Sequence, residues 1–285
     1  MIFVVDSGST KTDWIALDDS GEILFSTQTL GLNPQVLPSA ILTERIINNY
    51  DLYQNREKVS HVYFYGAGCG VESPASRIEK VFTEIFTQSN FSILEDTYAA
   101  VYAATQPNNP AIVCIMGTGS NCTYFDGKEI EQRITSLGYV LMDEASGNFY
   151  GKQLIRAYYF KTMPEALAKK FEDQYDLSPD QIKENVYRKE NPNTYLAKFA
   201  KFIIEHKQVP EMKTIIEDGL QRFISHQILQ FDDAKEVPIH FIGSIAHYLK
   251  DEIDKALKKN GLRLGNVVKR PIDGLVEHHR KLLNQ

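Results

Sequence analysis

One pattern occurs twice in this chain, and it constrains the fold more than any other feature. Near the start, MIFVVDSGSTKTDW carries the apolar run Ile2 to Val5 into Asp6 and then into a turn of small and hydroxyl residues. A second apolar run, DWIAL, follows. Asp18-Asp19-Ser20-Gly21 then makes a tight turn into a third, ILFSTQTL. After the break QPNNP the theme returns: AIVCIM, the turn GTGSN, the run CTYF, and Asp126-Gly127 leading into KEI. The repeat is one of architecture rather than of letters. Strands mixed with helices in this order predict α/β layers.

Between and after the two repeats the pattern is helical. Leu37 to Tyr50 has apolar residues at helical spacing, with Pro38 near its start. HVYFYGAG reads as a strand running into glycines. SPASRIEKVFTEIF reads as a helix with Ser73 as N-cap and Pro74 in its first turn. FSIL is a short strand, and Asp96 begins the helix DTYAAVYAAT. From Gly147 to about Gln230 the chain reads as mostly helical, with segments such as 165–190 presenting charged faces. PIHFIGSIAHYLKDEIDKAL is a strand, a Gly-Ser turn and a helix, and PIDGLVEHHRKLLNQ is a terminal helix. His278-His279 lacks acidic or cysteine neighbours and reads as a solvated helix rather than a metal site. Trp14 and the tyrosines of HVYFY read as core.

The 285 residues carry a formal net charge of −6 with no basic block, which argues against nucleic acid or an anionic membrane surface as partner. Cys69, Cys114 and Cys122 have neither metal-site nor CxxC spacing, so a reducing compartment without structural disulfides is expected. No apolar run reaches the roughly 20 residues of a membrane span. No signal peptide is recognised, and the cytoplasm is the expected location.

Three turns share one design: DSGSTKT at 6–12, GTGSN at 117–121 and GSIA at 243–246, each after an apolar run. Turns poor in side-chain bulk let backbone N–H groups approach a ligand closely, and phosphate is the commonest one. Together with LGLNP, EDTYAA and LGYVLMDEASG, these turns resemble the sugar-kinase, actin and heat-shock-chaperone ATPase superfamily. Within it the chain is most similar to N-acetylglucosamine kinase and the BadF/BadG/BcrA/BcrD-type ATPases. The resemblance implies two duplicated ribonuclease H-like (actin-type ATPase) domains with an interdomain cleft. The first would cover 1–108 and the second 109–270, with a helical insertion; the helix at about 271–285 would pack back on the first. It further implies ATP and Mg²⁺ as cofactors, an amino sugar as substrate, and a possible homodimer.

The resemblance also implies roles for residues. Asp6 would hold Mg²⁺. Ser7, Gly8, Ser9, Thr10 and Lys11 would form the first phosphate loop, and Gly117, Thr118, Gly119 and Ser120 the second. Gly243 and Ser244 would lie against adenosine. Asp96 would be the catalytic base, accepting the proton of a sugar hydroxyl; on local grounds alone it reads equally as a helix cap, and Glu95 is its rival. Asn33, Asn121 and Asp143 would bind sugar hydroxyls.

One departure bears on the sugar pocket. Where the family has Gly-Asp-Glu-Gly-Ser-Gly, this chain has Met142-Asp143-Glu144-Ala145-Ser146-Gly147, so a position needing positive φ would bend differently. Ser7 and Ser9 also replace glycines often found in the first loop. The expected activity is ATP-dependent phosphorylation of N-acetylglucosamine or a related amino sugar. The alternatives are a non-catalytic sugar-binding or regulatory protein on the same fold, and an ATPase activator of an iron–sulfur enzyme.

Overall fold

The computed structural model describes residues 1–8, 10–106 and 108–283, which fall into two compact units. Unit 1 comprises 1–105 together with the terminal segment from Arg270; unit 2 is 106–269. In chain order unit 1 contains β1 (Ile2–Ser7), β2 (Lys11–Leu17), β3 (Ile23–Leu30), α1 (Ser39–Ile47), α2 (Tyr50–Asn55), β4 (His61–Gly66), α3 (Glu72–Ile85), β5 (Asn90–Glu95) and α4 (Asp96–Ala104). Unit 2 contains β6 (Ala111–Met116), β7 (Ser120–Phe125), β8 (Ile130–Glu131), α5 (Gly147–Tyr159), α6 (Glu165–Gln174), α7 (Pro179–Tyr187), α8 (Pro192–Ala197), α9 (Ala200–Glu205), α10 (Pro210–His226), β9 (Ile239–Ile242), α11 (Ser244–Tyr248), α12 (Lys250–Lys259) and β10 (Leu264–Val268). The last helix, α13 (Pro271–Leu283), belongs to unit 1.

The two sheets have the same topology. Unit 1 orders its strands β3-β2-β1-β4-β5, and unit 2 orders them β8-β7-β6-β9-β10. In each, a meander of three antiparallel strands is extended by two parallel strands on the far side of the first. The central strands explain the apolar runs: β1 and β6 are covered on both faces and bury nearly every residue. In unit 1 the alternation divides two cores. Phe3, Val5 and Trp14 face α1 and α3 with Phe82 and Phe86. Ile2, Val4, Ile15 and Leu17 face α4 and α13 with Ala99, Ile272 and Leu275.

Several sequence expectations change. The helix expected over Leu37–Tyr50 is the shorter α1, and the Asn49 side chain, accepting from Leu52 N, starts a separate α2 that runs on to Asn55. The Ser73 cap is displaced: α3 begins at Glu72 and its N-cap is Val71, which leaves Ser73 and Pro74 inside the first turn. The helix after β9 breaks at Leu249, and the chain adds a strand, β10, that the apolar pattern does not mark. His279 is not solvated. It is 2% exposed and hydrogen-bonded through Nε2 to Tyr65 Oη at 2.9 Å. Cys114 and Cys122 are neighbours in the fold despite lacking CxxC spacing. They face each other across β6 and β7 as free thiols, their sulfurs 3.6 Å apart. Among the described residues no helix is long and apolar enough to cross a membrane.

Candidate active site

In unit 1, β1, β4 and β5 run parallel, so their carboxyl ends share one edge of the sheet. Ligands of open α/β sheets bind beyond such edges. Asp6 is opposite Tyr65 on one side and Asp13 on the other, and Gly66 is opposite Glu95. Alternation turns Asp6 to the face of Ile2 and Val4, the face under α4 and α13. Asp96 opens α4 there, and Arg270 immediately precedes α13. Burial pushes the Asp6 carboxyl up to about 7, helped by the charges of Asp96 and Asp13 and opposed by Lys11 and Arg270. Burial likewise pushes Asp96 up to about 6, with Glu95 adding to the shift and backbone N–H groups of Asp96 and Thr97 opposing it. Two carboxyls thus titrate near neutrality in one place.

Asp13, given no role from sequence, is the hub beside them. It is 4% exposed and accepts from Lys11 Nζ at 2.7 Å and Gln28 Nε2 at 2.5 Å, with the Arg270 guanidinium 3.5 Å away. The first turn is largely committed to itself. Ser7 lies on the other face, fully buried, its Oγ 2.8 Å from Thr12 Oγ1 and accepting from Leu32 N at 3.0 Å. Gly8 N donates to Lys11 O, closing the turn, and Thr10 O accepts from Gly31 N. Ser9 lies outside the described residues.

The segment Gly66-Ala67-Gly68-Cys69-Gly70 joins the rest of this edge, and only its glycine density after a strand announced it. Gly68 has φ +82°, and a Cβ there would stand 2.3 Å from Asn33 Oδ1. A Cβ on Gly70 would stand 2.6 Å from Glu95 Oε2. Ala67 N donates to Ser7 O at 2.8 Å. Asn33 is therefore packed against this loop, its Oδ1 accepting from Gln35 N at 2.9 Å. Cys69 is pushed up to about 12 by burial and by the Asp96 and Glu95 charges, which makes it a poor nucleophile.

In unit 2 the GTGSN turn sits on the N-terminus of α5. Gly147 N donates to Gly117 O at 2.8 Å, and Asn148 N donates to Thr118 O at 3.0 Å. A trans peptide holds its C=O and N–H antiparallel. Pinning the Gly117 and Thr118 carbonyls to α5 therefore turns the N–H groups of Thr118 and Gly119 the other way. Neither amide has a protein acceptor among the described residues. Two successive N–H groups aimed outward form an anion-binding concavity. Ser120 contributes differently: its Oγ donates to Glu144 O at 2.8 Å.

Asp143 packs on this turn; a Cβ on Gly119 would stand 2.8 Å from its Oδ2. It is 8% exposed, and burial raises its proton affinity against the Asn148 hydrogen bond, the Ser120 amide and the Lys152 charge. Asn121 Oδ1 accepts from Cys122 N at 2.7 Å and from Gln132 Nε2 at 2.8 Å. Gly243 has φ +116°, and a Cβ there would come within 2.3 Å of Met116 O, so the GSIA turn lies directly on the end of β6 beside Gly117. Ser244 opens the short α11. Of the two departures in the Met142–Gly147 loop, only Ala145 falls at a left-handed position, with φ +58°. The loop keeps that conformation without a glycine.

Comparison with known proteins places the chain. The model of the BadF/BadG/BcrA/BcrD ATPase family matches residues 5–276. A protein of Porphyromonas gingivalis provisionally named N-acetylglucosamine kinase is 34% identical, with TM-score 0.91 and 99% of each chain covered. A Chromobacterium violaceum protein of the same provisional name is 18% identical, with TM-score 0.70, covering 100% of this chain and 99% of that one. A ROK family glucokinase of Streptomyces griseus, solved with glucose and AMPPNP, is 14% identical at TM-score 0.57, with 97% of each chain covered, and is alike in fold. No curated protein matches. With two sheets of one topology, each carrying a small-residue turn after its central strand, and a family match spanning both, the chain belongs to the BadF/BadG/BcrA/BcrD ATPase family.

Proposed function

We propose that this protein is an ATP-dependent sugar kinase acting on an amino sugar, N-acetylglucosamine or a close relative. The observation that carries the reading is the pairing of Asp6 and Asp96 at one sheet edge, in a chain of this family. Asp96 is the base: as the sugar oxygen bonds to the γ-phosphorus and the bond to the ADP oxygen breaks, the hydroxyl proton passes to the Asp96 carboxylate. A carboxyl near 6 is ionised at neutral pH yet holds a proton well enough to take it. Thr118 and Gly119 N–H bind phosphate oxygen, the Gly243 turn receives adenosine, and Asn33 and Asp143 orient the sugar.

Mg²⁺ fits the donor set. Asp6 offers a hard oxygen ligand in a site where burial first, and the charges of Asp96 and Asp13 after it, raise its proton affinity; a dication would favour the ionised carboxylate there. Held there by Asp6, Mg²⁺ would supply charge neutralisation for the transferring phosphoryl group.

ADP release measured across N-acetylglucosamine, N-acetylmuramic acid, glucosamine and glucose tests this. Sugar-dependent turnover is expected with at least one, and Asp96→Asn should lower kcat by 10²-fold or more while ATP still binds. A sugar that raises the melting temperature without ADP release would instead make the protein a sensor. Unchanged activity in Asp96→Asn would reduce Asp96 to an acidic residue in the first turn of α4, whose N-cap is Glu95.

A further inference from the structure

Asn148 is the second residue of α5 and is fully buried. Its Nδ2 donates to Thr118 O at 2.7 Å and to Asp143 Oδ2 at 2.7 Å, while its own backbone N reaches Thr118 O as well. Its Oδ1 is buried with no partner among the described residues. The two acceptors fix which end of the amide is nitrogen, since a flipped amide would set oxygen against a carbonyl and a carboxylate. A buried acceptor left unsatisfied is unfavourable, so the side chain is oriented for what it donates to.

Those two acceptors belong to different tasks. The Thr118 carbonyl belongs to the peptide whose N–H, on Gly119, faces outward. Asp143 is a carboxylate held against the backbone of that glycine. We propose that Asn148 is a positioning residue that clamps the phosphate-facing turn and the Asp143 carboxylate to each other, so that the nucleotide and sugar ends of the site share one anchor. This rests on the sugar-kinase reading. One amide hydrogen holds the Thr118–Gly119 peptide in its anion-binding orientation; the other fixes the carboxylate, whose remaining lone pairs, beside the bond from the Ser120 amide, would serve a sugar hydroxyl. The bond to Asp143 also favours its ionised form against burial.

Calorimetric titration of Mg²⁺–AMPPNP and, separately, of N-acetylglucosamine into the native chain, Asn148→Ala, Asn148→Ser and Asp143→Asn tests the clamp. Asn148→Ala should weaken both ligands by roughly tenfold to a hundredfold, the usual loss when a residue that orients a binding group is removed. Asp143→Asn should weaken the sugar alone. Asn148→Ser, whose hydroxyl can serve one acceptor, should lose less, and it carries the test if the alanine variant does not fold. Sugar binding by Asn148→Ser should also fail at higher pH on acidification than in the native chain, which a merely structural role would not produce. Unchanged affinities for both ligands, with only a lower melting temperature, would overturn the clamp and leave the kinase reading standing. A native chain that binds neither ligand would remove the reading, and the clamp with it.

Discussion

At the scale of single residues, Asp6 sits where the proposed function and stability conflict. Its folded-state pKa of about 7 lies above the ordinary 3.8, so folding favours the protonated form and ionisation opposes it. The neutral form's advantage is complete below about pH 4 and is lost as pH rises through 7. Asp6→Asn should therefore match the native chain in urea at pH 4.5 and exceed it at pH 8 by on the order of 3 kcal/mol, while losing activity. Equal stability at both pH values would mean that Asp6 is well solvated. The sequence shows Asp6 and Asp96 because each interrupts an apolar run at a strand end. It does not show Asp13 or Asn148, since an acid in a strand and an amide in a first turn are common in themselves. Only their partners distinguish them: Arg270 from the other end of the chain, and Thr118 from another loop.

At the scale of elements, the strands that bury both faces are legible as apolar runs, and so is their duplication. What escaped were elements defined by neighbours. β10, LGNVV, has a glycine and an irregular register between Leu264 and Val267, and that glycine exists because a Cβ would press within 2.6 Å of His240 Nδ1. The same logic gives α13 its one glycine. A Cβ on Gly274 would come within 2.6 Å of the Cα, Cβ and carbonyl oxygen of Ala103 in α4. Backbone cannot yield as a flexible side chain can, so Gly274→Ala must push α13 off α4 and open the core of Ile272 and Leu275. A loss of about 1–3 kcal/mol is expected in urea denaturation, despite the higher helix propensity of alanine. A neutral or stabilising result would show that the two helices pack loosely.

For the whole molecule, the terminal segment closes unit 1. Arg270 approaches Asp13, Arg280 Nε donates to Gly21 O at 2.7 Å, and His279 meets Tyr65. His279 packs tilted against Tyr63 and is pushed down to about 3 by burial, with His278 and His61 adding to the shift. A histidine held neutral in the fold binds fewer protons than in the unfolded chain, so its contribution stands above about pH 6.5 and drains away as pH falls toward 3. Asp6 and Asp96 push in the opposite direction over nearly the same range, because their raised pKa values favour the fold in acid. The acid response of the molecule is thus a difference between two buried groups of side chains, one lying on α13 and β4 and one at the sheet edge. His279→Gln removes one side of that difference while keeping a hydrogen-bonding partner for Tyr65. Above pH 7 it should be less stable than the native chain by about 1–3 kcal/mol through lost packing. Below pH 6.5 it should gain on the native chain by about 1.4 kcal/mol per pH unit, the full linkage of one proton. Stability curves that stay parallel from pH 8 to pH 4.5 would mean that His279 takes up its proton in the folded state and that α13 does not seal it from water.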